Sequence, residues 1–125
     1  MTNNGIRDMM VYKAAFSIAM EIFEITKTFP KEEKYSLTDQ IRRSSRSVCA
    51  NLSEAYAKRV YPKHFLSKLT DCDGELSETI TWLQFAGECK YITAEECATM
   101  VNKYIPVGKM IGSMMSTPEK FAPRA

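Results

Sequence analysis

Chain breakers are scarce: five glycines and five prolines in 125 residues are too few for a loop-rich or all-β design. Long apolar runs are missing, and none approaches the roughly 20 residues that a membrane span requires. No membrane role is expected. Met1 to Arg7 is polar, and no small-residue cleavage site follows an apolar core, so no secretory leader is read. The four cysteines (Cys49, Cys72, Cys89, Cys97) form no CxxC pair and have no nearby histidine. They read as reduced thiols in a cytoplasm, with neither a disulfide framework nor a zinc site. There is no phosphate-cradling glycine loop and no nucleophile elbow. The lone histidine, His64, lies beside a helix start, where a surface or capping role is the usual case. Glu54 and Glu78 could pair across two helices, but the Glu-x-x-His of a metal-binding bundle is absent. The expectation is a non-enzyme without cofactor or metal.

What is present is helical periodicity. Residues 1–8 read as a loose lead-in with Asp8 as N-cap, 9–116 as one bundle domain and 117–125 as a mobile tail. The first helix carries two apolar lines. Tyr12, Phe16, Ala19 and Phe23 suit a core, while Val11, Ile18, Ile22, Ile25 and Phe29 form a second surface. A helix apolar on two sides wants two neighbours, which points to association of copies. Phe29-Pro30 ends it, and Tyr35 reads as an aromatic anchor in the connector. Ser36 to Asp39 reads as a capping box for the second helix. Pro62 suits the first position of the third, whose core stripe is Phe65, Leu66, Leu69, Cys72, Leu76, Ile80, Leu83 and Ala86. Trp82, Phe85 and Cys89 lie off that stripe. Gly74, mid-helix at a cost of about 1 kcal/mol, hints at a close helix approach. Thr93 to Glu96 is a second capping box, and Pro106 should kink or split the last helix. Short connectors between four helices imply an all-α, antiparallel up-down-up-down four-helix bundle.

The organising stretch is Arg42 to Ala55. Leu37, Ile41, Val48, Leu52 and Ala55 form one apolar stripe, and Ser44, Ser47, Asn51, Glu54 and Lys58 make a polar ladder beside it. The ladder reads first as a structural polar network of Ser47, Asn51 and Glu54, joined by Glu78. In it Asn51 sets register and an arginine or lysine pairs Glu54. A ligand-reading groove is the other reading. Arg42, Arg43 and Arg46 crowd two turns. From Lys34 to Lys63 seven basic residues face two acidic ones, and from His64 to Met100 seven acidic residues face two basic ones. Either the two segments neutralise each other within or between subunits, or the basic helix meets phosphates through Arg42, Arg43, Arg46, Lys58 and Arg59.

The run FPKEEKYSLTDQIRRSSRSVCANLSEA resembles the four-helix-bundle family encoded in intervening sequences of bacterial large-subunit ribosomal RNA genes. That family shows FPxxExY, then LxxQxRRAxxSIxxNIAEG. Matching residues are Phe29, Pro30, Glu33, Tyr35, Leu37, Gln40, Arg42, Arg43, Ser47, Val48, Asn51, Leu52 and Glu54. Gly74, Leu76, Glu78 and Thr81 follow on the third helix, then Tyr91, Ile92, Thr93, Glu95 and Glu96. Ala55 departs from the family's usual glycine, Arg46 adds charge, and Pro106 interrupts a helix the family continues. The resemblance implies a homopentamer of bundles. It is also similar to the accessory (variability determinant) proteins of diversity-generating retroelements, which implies nucleic acid (RNA or DNA) and a reverse transcriptase as partners. The competing expectation is a structural or adaptor oligomer docking a protein.

Overall fold

The computed structural model describes residues 5–122. Four α-helices dominate it: α1 (Met10–Thr26), α2 (Leu37–Ala57), α3 (Pro62–Glu88) and α4 (Ala94–Ser116). No strand occurs among the described residues. α2 packs against α1 and α3, and α4 against α3 and α1, so each helix has two neighbours around one core. Across α2 and α3 the partners run in opposite order, Glu54 with Lys68, the Val48 carbonyl with Cys72 and Ser44 with Thr79. Each helix contributes a buried line to the interior: Val11, Ala15, Ile18 and Ile22; Ile41, Val48, Leu52 and Ala55; Phe65, Leu69, Cys72 and Leu83; Met100, Tyr104, Val107 and Ile111. Full burial of one such aliphatic side chain is worth about 1.5–3 kcal/mol. Truncating Leu52 or Leu69 to Ala would therefore cost about 2–5 kcal/mol.

α1 reverses the sequence expectation about its core face. Phe16 is exposed and Tyr12 and Phe23 are half-buried, whereas Val11, Ala15, Ile18, Ile22 and Thr26 point inward. The reason is geometric. The inward line repeats at i, i+4, i+7, i+11 and i+15 and contains the small Ala15, which lets neighbours approach. Thr26 is tolerated there because its hydroxyl donates to the Phe23 carbonyl at 2.9 Å and accepts from Arg42 Nε at 2.7 Å. On α3, Thr79 takes the core position and Leu66 turns outward.

Helix ends follow local chemistry. Thr93 and Glu96 form the expected capping box of α4, with Glu96 N–H donating to Thr93 Oγ1 at 3.0 Å and Thr93 N–H to Glu96 Oε1 at 2.8 Å. At α2 the cap differs from the expected Ser36–Asp39 box. Glu33 reaches forward from the 3-10 turn Lys31–Glu33, and its Oε1 accepts from Leu37 N–H at 3.2 Å and Ser36 Oγ at 2.5 Å. Its Oε2 accepts from Tyr91 Oη at 2.8 Å, tying this connector to the α3–α4 turn. The Ser36, Tyr91 and Leu37 donors hold the Glu33 carboxyl below its ordinary range, and the same bond pushes the Tyr91 hydroxyl up to about 12. At α1 the N-cap position is Met9, not Asp8, and has no side-chain cap bond.

α4 passes through Pro106 without a break. Pro106 and Asn102, whose carbonyl loses its amide partner, both lie on the exposed side, where water can replace the bond. The close approach read at Gly74 occurs elsewhere. A Cβ at Gly74 would meet nothing within 4 Å, whereas one at Gly87 would lie 3.2 Å from Cys97 Cβ, at the α3–α4 crossing. Tyr35 is 85% exposed and is not part of the core; its ring carries the Lys34 ammonium at 5.4 Å. In the stretch read as lead-in, Gly5–Asp8 form a 3-10 turn with Ile6 buried; residues 1–4 lie outside the described residues. In the stretch read as tail, Phe121 stacks 5.8 Å from Phe65, and residues 123–125 lie outside the described residues.

Candidate nucleic-acid interface

Two of the three arginines of α2, Arg42 and Arg46, find a ring and not a carboxylate. Arg42 is oriented by the Thr26 hydroxyl, and its guanidinium lies 4.9 Å from the Phe23 ring centre. Arg46, one turn on, lies 5.7 Å from the same ring, and Lys27 Nζ is 4.9 Å away. Three cations thus share one phenyl group. Each such contact is worth about 0.5–1 kcal/mol at an exposed site. That positions the groups but does not neutralise them. None of the salt bridges among the described residues involves an arginine. Lys27 alone of the three meets an acid, Glu24, at 3.2 Å.

The five residues expected to contact phosphate do not form one patch. Arg43 is exposed and set apart from the Phe23 ring; its charge acts on Glu75, whose carboxyl burial and Glu78 nevertheless push up. Arg59 sits at the other end of α2, its guanidinium 4.0 Å from the Tyr56 ring centre and its Nη1 donating to the Tyr56 carbonyl at 2.9 Å. Lys58 is exposed at the C-cap of α2. Seventeen residues of helical rise separate Arg42 from Arg59, about 25 Å. The sequence reading missed Lys27 and Arg7. Arg7 lines a hollow with Tyr56 and Arg59, and it also lines the groove of Tyr12, Lys13, Phe16 and Met20 on α1. Tyr12 and Phe16 are in ring contact at 5.9 Å. The signal that could have found this arrangement is the i, i+4, i+8 spacing of Tyr12, Phe16 and Met20, continued by Phe23 and Lys27.

Ser47, Asn51, Glu54 and Glu78 do not form one network; of the four, Asn51 and Ser47 alone are hydrogen-bonded to each other. Asn51 Nδ2 donates to the Ser47 carbonyl of its own helix at 3.0 Å. Glu54 pairs with Lys68 at 2.7 Å, which raises the Lys68 ammonium pKa. Glu78 accepts from Trp82 Nε1 at 3.3 Å. Buried hydrogen bonds between α2 and α3 belong instead to Thr79, whose hydroxyl donates to Ser44 Oγ at 2.8 Å, and to Cys72, whose thiol donates to the Val48 carbonyl at 3.3 Å. Beside Thr79 the Tyr104 hydroxyl is buried without a hydrogen bond of good geometry, and burial pushes its pKa up. His64 is exposed, with its ring 6.0 Å from that of Tyr61. Among the described residues, no three His, Cys, Asp or Glu side chains are grouped to hold a metal, and no helix is long and apolar enough to cross a membrane. A second aromatic surface lies at the far end of α3, where Trp82, Phe85 and Cys89 share a hollow with Tyr35 and Gln40.

No curated protein matches this chain. A solved structure does: a protein of unknown function from the S23 ribosomal protein family of Bacteroides thetaiotaomicron. It superposes with a TM-score of 0.77 at 29% sequence identity, over 86% of this chain and 96% of that one. The family model described as 23S rRNA-intervening sequence protein matches residues 7–113, nearly the whole bundle. The chain therefore belongs to the 23S rRNA-intervening sequence protein family.

Proposed function

We propose that this protein is a non-enzymatic, nucleic-acid-associated accessory factor that grips phosphates through the Lys27–Arg42–Arg46 cluster, with Arg59 and Lys58 adding charge at the other end of α2. The observation that carries this reading is the absence, among the described residues, of a carboxylate salt bridge to Arg42 and Arg46, which stand over Phe23, Arg42 also held by Thr26, with their charge unspent. Guanidinium groups held this way match phosphate oxygens in bidentate fashion. The bundle is taken as antiparallel, up-down-up-down, and assembled as a cytoplasmic homopentamer. The resemblance supports the number of copies. Exposed Leu66, Phe85 and Ile105 on α3 and α4 supply apolar surface for contacts between them. A ring of copies would repeat the cationic cluster around its axis and strengthen its field.

Mobility shift of RNA and DNA by the wild type and by Arg42→Ala/Arg46→Ala, at low and moderate salt, tests this. The wild type should bind with a steep salt dependence, and the double variant should lower the slope of log affinity against log salt by about 2 per cluster engaged. No shift by the wild type even at low salt ends the proposal. Sedimentation should return the mass of five 14.2 kDa chains.

A second reading, an adaptor that docks a protein, draws on the Tyr35–Trp82–Phe85 surface, where Tyr35 is 85% and Phe85 54% exposed. A reverse transcriptase, the partner implied by retroelement relatives, would be a candidate occupant. In that case Arg42→Ala/Arg43→Ala would damage assembly more than nucleic-acid binding.

A further inference from the structure

Phosphate contacts account for the cations, but not for the apolar stripe that joins them. On α1, Phe16 is 50% and Met20 48% exposed, and they line an open groove of about 740 Å³ with Tyr12, Lys13, Ser17 and Arg7. One end of this stripe leads to Phe23 and its three cations; the other leads through Arg7 to Arg59. An exposed Phe16 and a half-buried Tyr12 therefore sit between two positive poles about 25 Å apart. A duplex offers such a surface only its phosphates, because its base faces are stacked inside. A single strand offers both backbone charge and free base faces. Single-strand binders accordingly combine a basic track with aromatic platforms, over sites of about four nucleotides or more.

We propose that the α1–α2 face binds single-stranded nucleic acid, its bases stacking on Phe16 and Tyr12 and its backbone running between the Lys27–Arg42–Arg46 cluster and the Arg7–Arg59 pole. This rests on the phosphate-binding reading above and narrows its substrate class. Phe23 is not counted as a platform, since its ring already carries the cations. Glu24 is paired with Lys27, so the uncompensated charge of this pole is that of Arg42 and Arg46. Glu21 is turned to the α4 side, where it pairs with Lys103.

Fluorescence anisotropy with a labelled oligothymidylate of about 12 nucleotides, set against a duplex of equal length, separates the two levels. Phe16→Ala should weaken single-strand binding about tenfold and leave duplex binding unchanged, with Phe16→Leu behaving the same way because it keeps bulk without a ring. Arg42→Ala/Arg46→Ala should weaken both ligands and flatten the salt dependence. Ultraviolet crosslinking of the oligothymidylate should mark the tryptic peptide Ala14–Lys27. Phe16 is half-exposed, so these variants should keep the wild-type circular dichroism. If Phe16→Ala binds single strand as the wild type does while the arginine variant is weakened, phosphate binding stands and the stacking platform falls. If Phe16→Ala instead shrinks the assembly with single-strand affinity intact, the stripe is covered by a second copy and the inference is overturned. A wild type that binds neither ligand at low salt removes both levels together.

Discussion

The Ser44–Thr79 contact makes a quantitative claim about what fixes α2 against α3. Thr79 is fully buried, and its hydroxyl can donate to Ser44 Oγ or to the Glu75 carbonyl, each at 2.8 Å. Ser44 has only one other outlet, a stretched 3.4 Å contact to the Ile41 carbonyl. That distance lies beyond the usual range of an O–H···O bond. Thr79→Val keeps the shape but leaves Ser44 buried with that poor contact alone, at a cost of about 1–3 kcal/mol. Ser44→Ala spares Thr79 its Glu75 bond, so about 1 kcal/mol should be lost. The double variant removes both polar groups and should recover about 1 kcal/mol relative to the sum of the two single changes. At this chain length 1 kcal/mol corresponds to about 4 °C in Tm. Thermal and urea unfolding of the four proteins, followed by circular dichroism at one fixed concentration, closes the cycle. Additive single effects, or Thr79→Val melting with the wild type, would refute the claim that this pair, and not mere space filling, couples the helices.

Glu33→Gln should cost roughly 1 kcal/mol at neutral pH, since the carboxylate both caps α2 and holds Tyr91. Its folded pKa is depressed, so its contribution is full above the unfolded value of 4.5 and is lost as pH falls through the folded value. The gap between wild type and Glu33→Gln should therefore close below about pH 4 in urea titrations. A gap unchanged there would show that the charge is irrelevant. Gly74→Ala should stabilise by up to about 1 kcal/mol, because a Cβ there meets nothing and the helix gains propensity. A lower melting temperature with an altered sedimentation mass would place Gly74 in a contact between copies instead.

Much of the fold could be read from residue patterns because helix boundaries carry local signals. Pro30, Pro62 and the Thr93–Glu96 box act within a few residues, and the structure places α3 and α4 accordingly. The inward face of α1 was harder to read. Two of its five buried positions are Ala15 and Thr26, which add little hydrophobic signal, while the more conspicuous Phe16 faces outward. Thr79 was overlooked in favour of Ile80 for the same reason, since its burial depends on a hydroxyl partner on another helix. The cationic site was only half legible. Arg42 and Arg46 announce themselves on one helix, but Lys27, Phe23 and Thr26 join them only when α1 packs alongside. Arg43, adjacent in sequence, is parted from the cluster by the 100° turn per residue.

The four thiols differ sharply in setting. Burial pushes the Cys49 thiol up to about 11 and the Cys72 thiol up to about 12, and it raises that of Cys97 as well, whereas Cys89 is exposed at the end of α3 beside Trp82 and Phe85. Alkylating reagents act on the deprotonated, accessible form. Cys89 is thus the most accessible handle, and a fluorophore attached to it would sit within quenching reach of the sole indole. Occupancy of that far-end hollow becomes readable as a change in emission, with no engineered substitution.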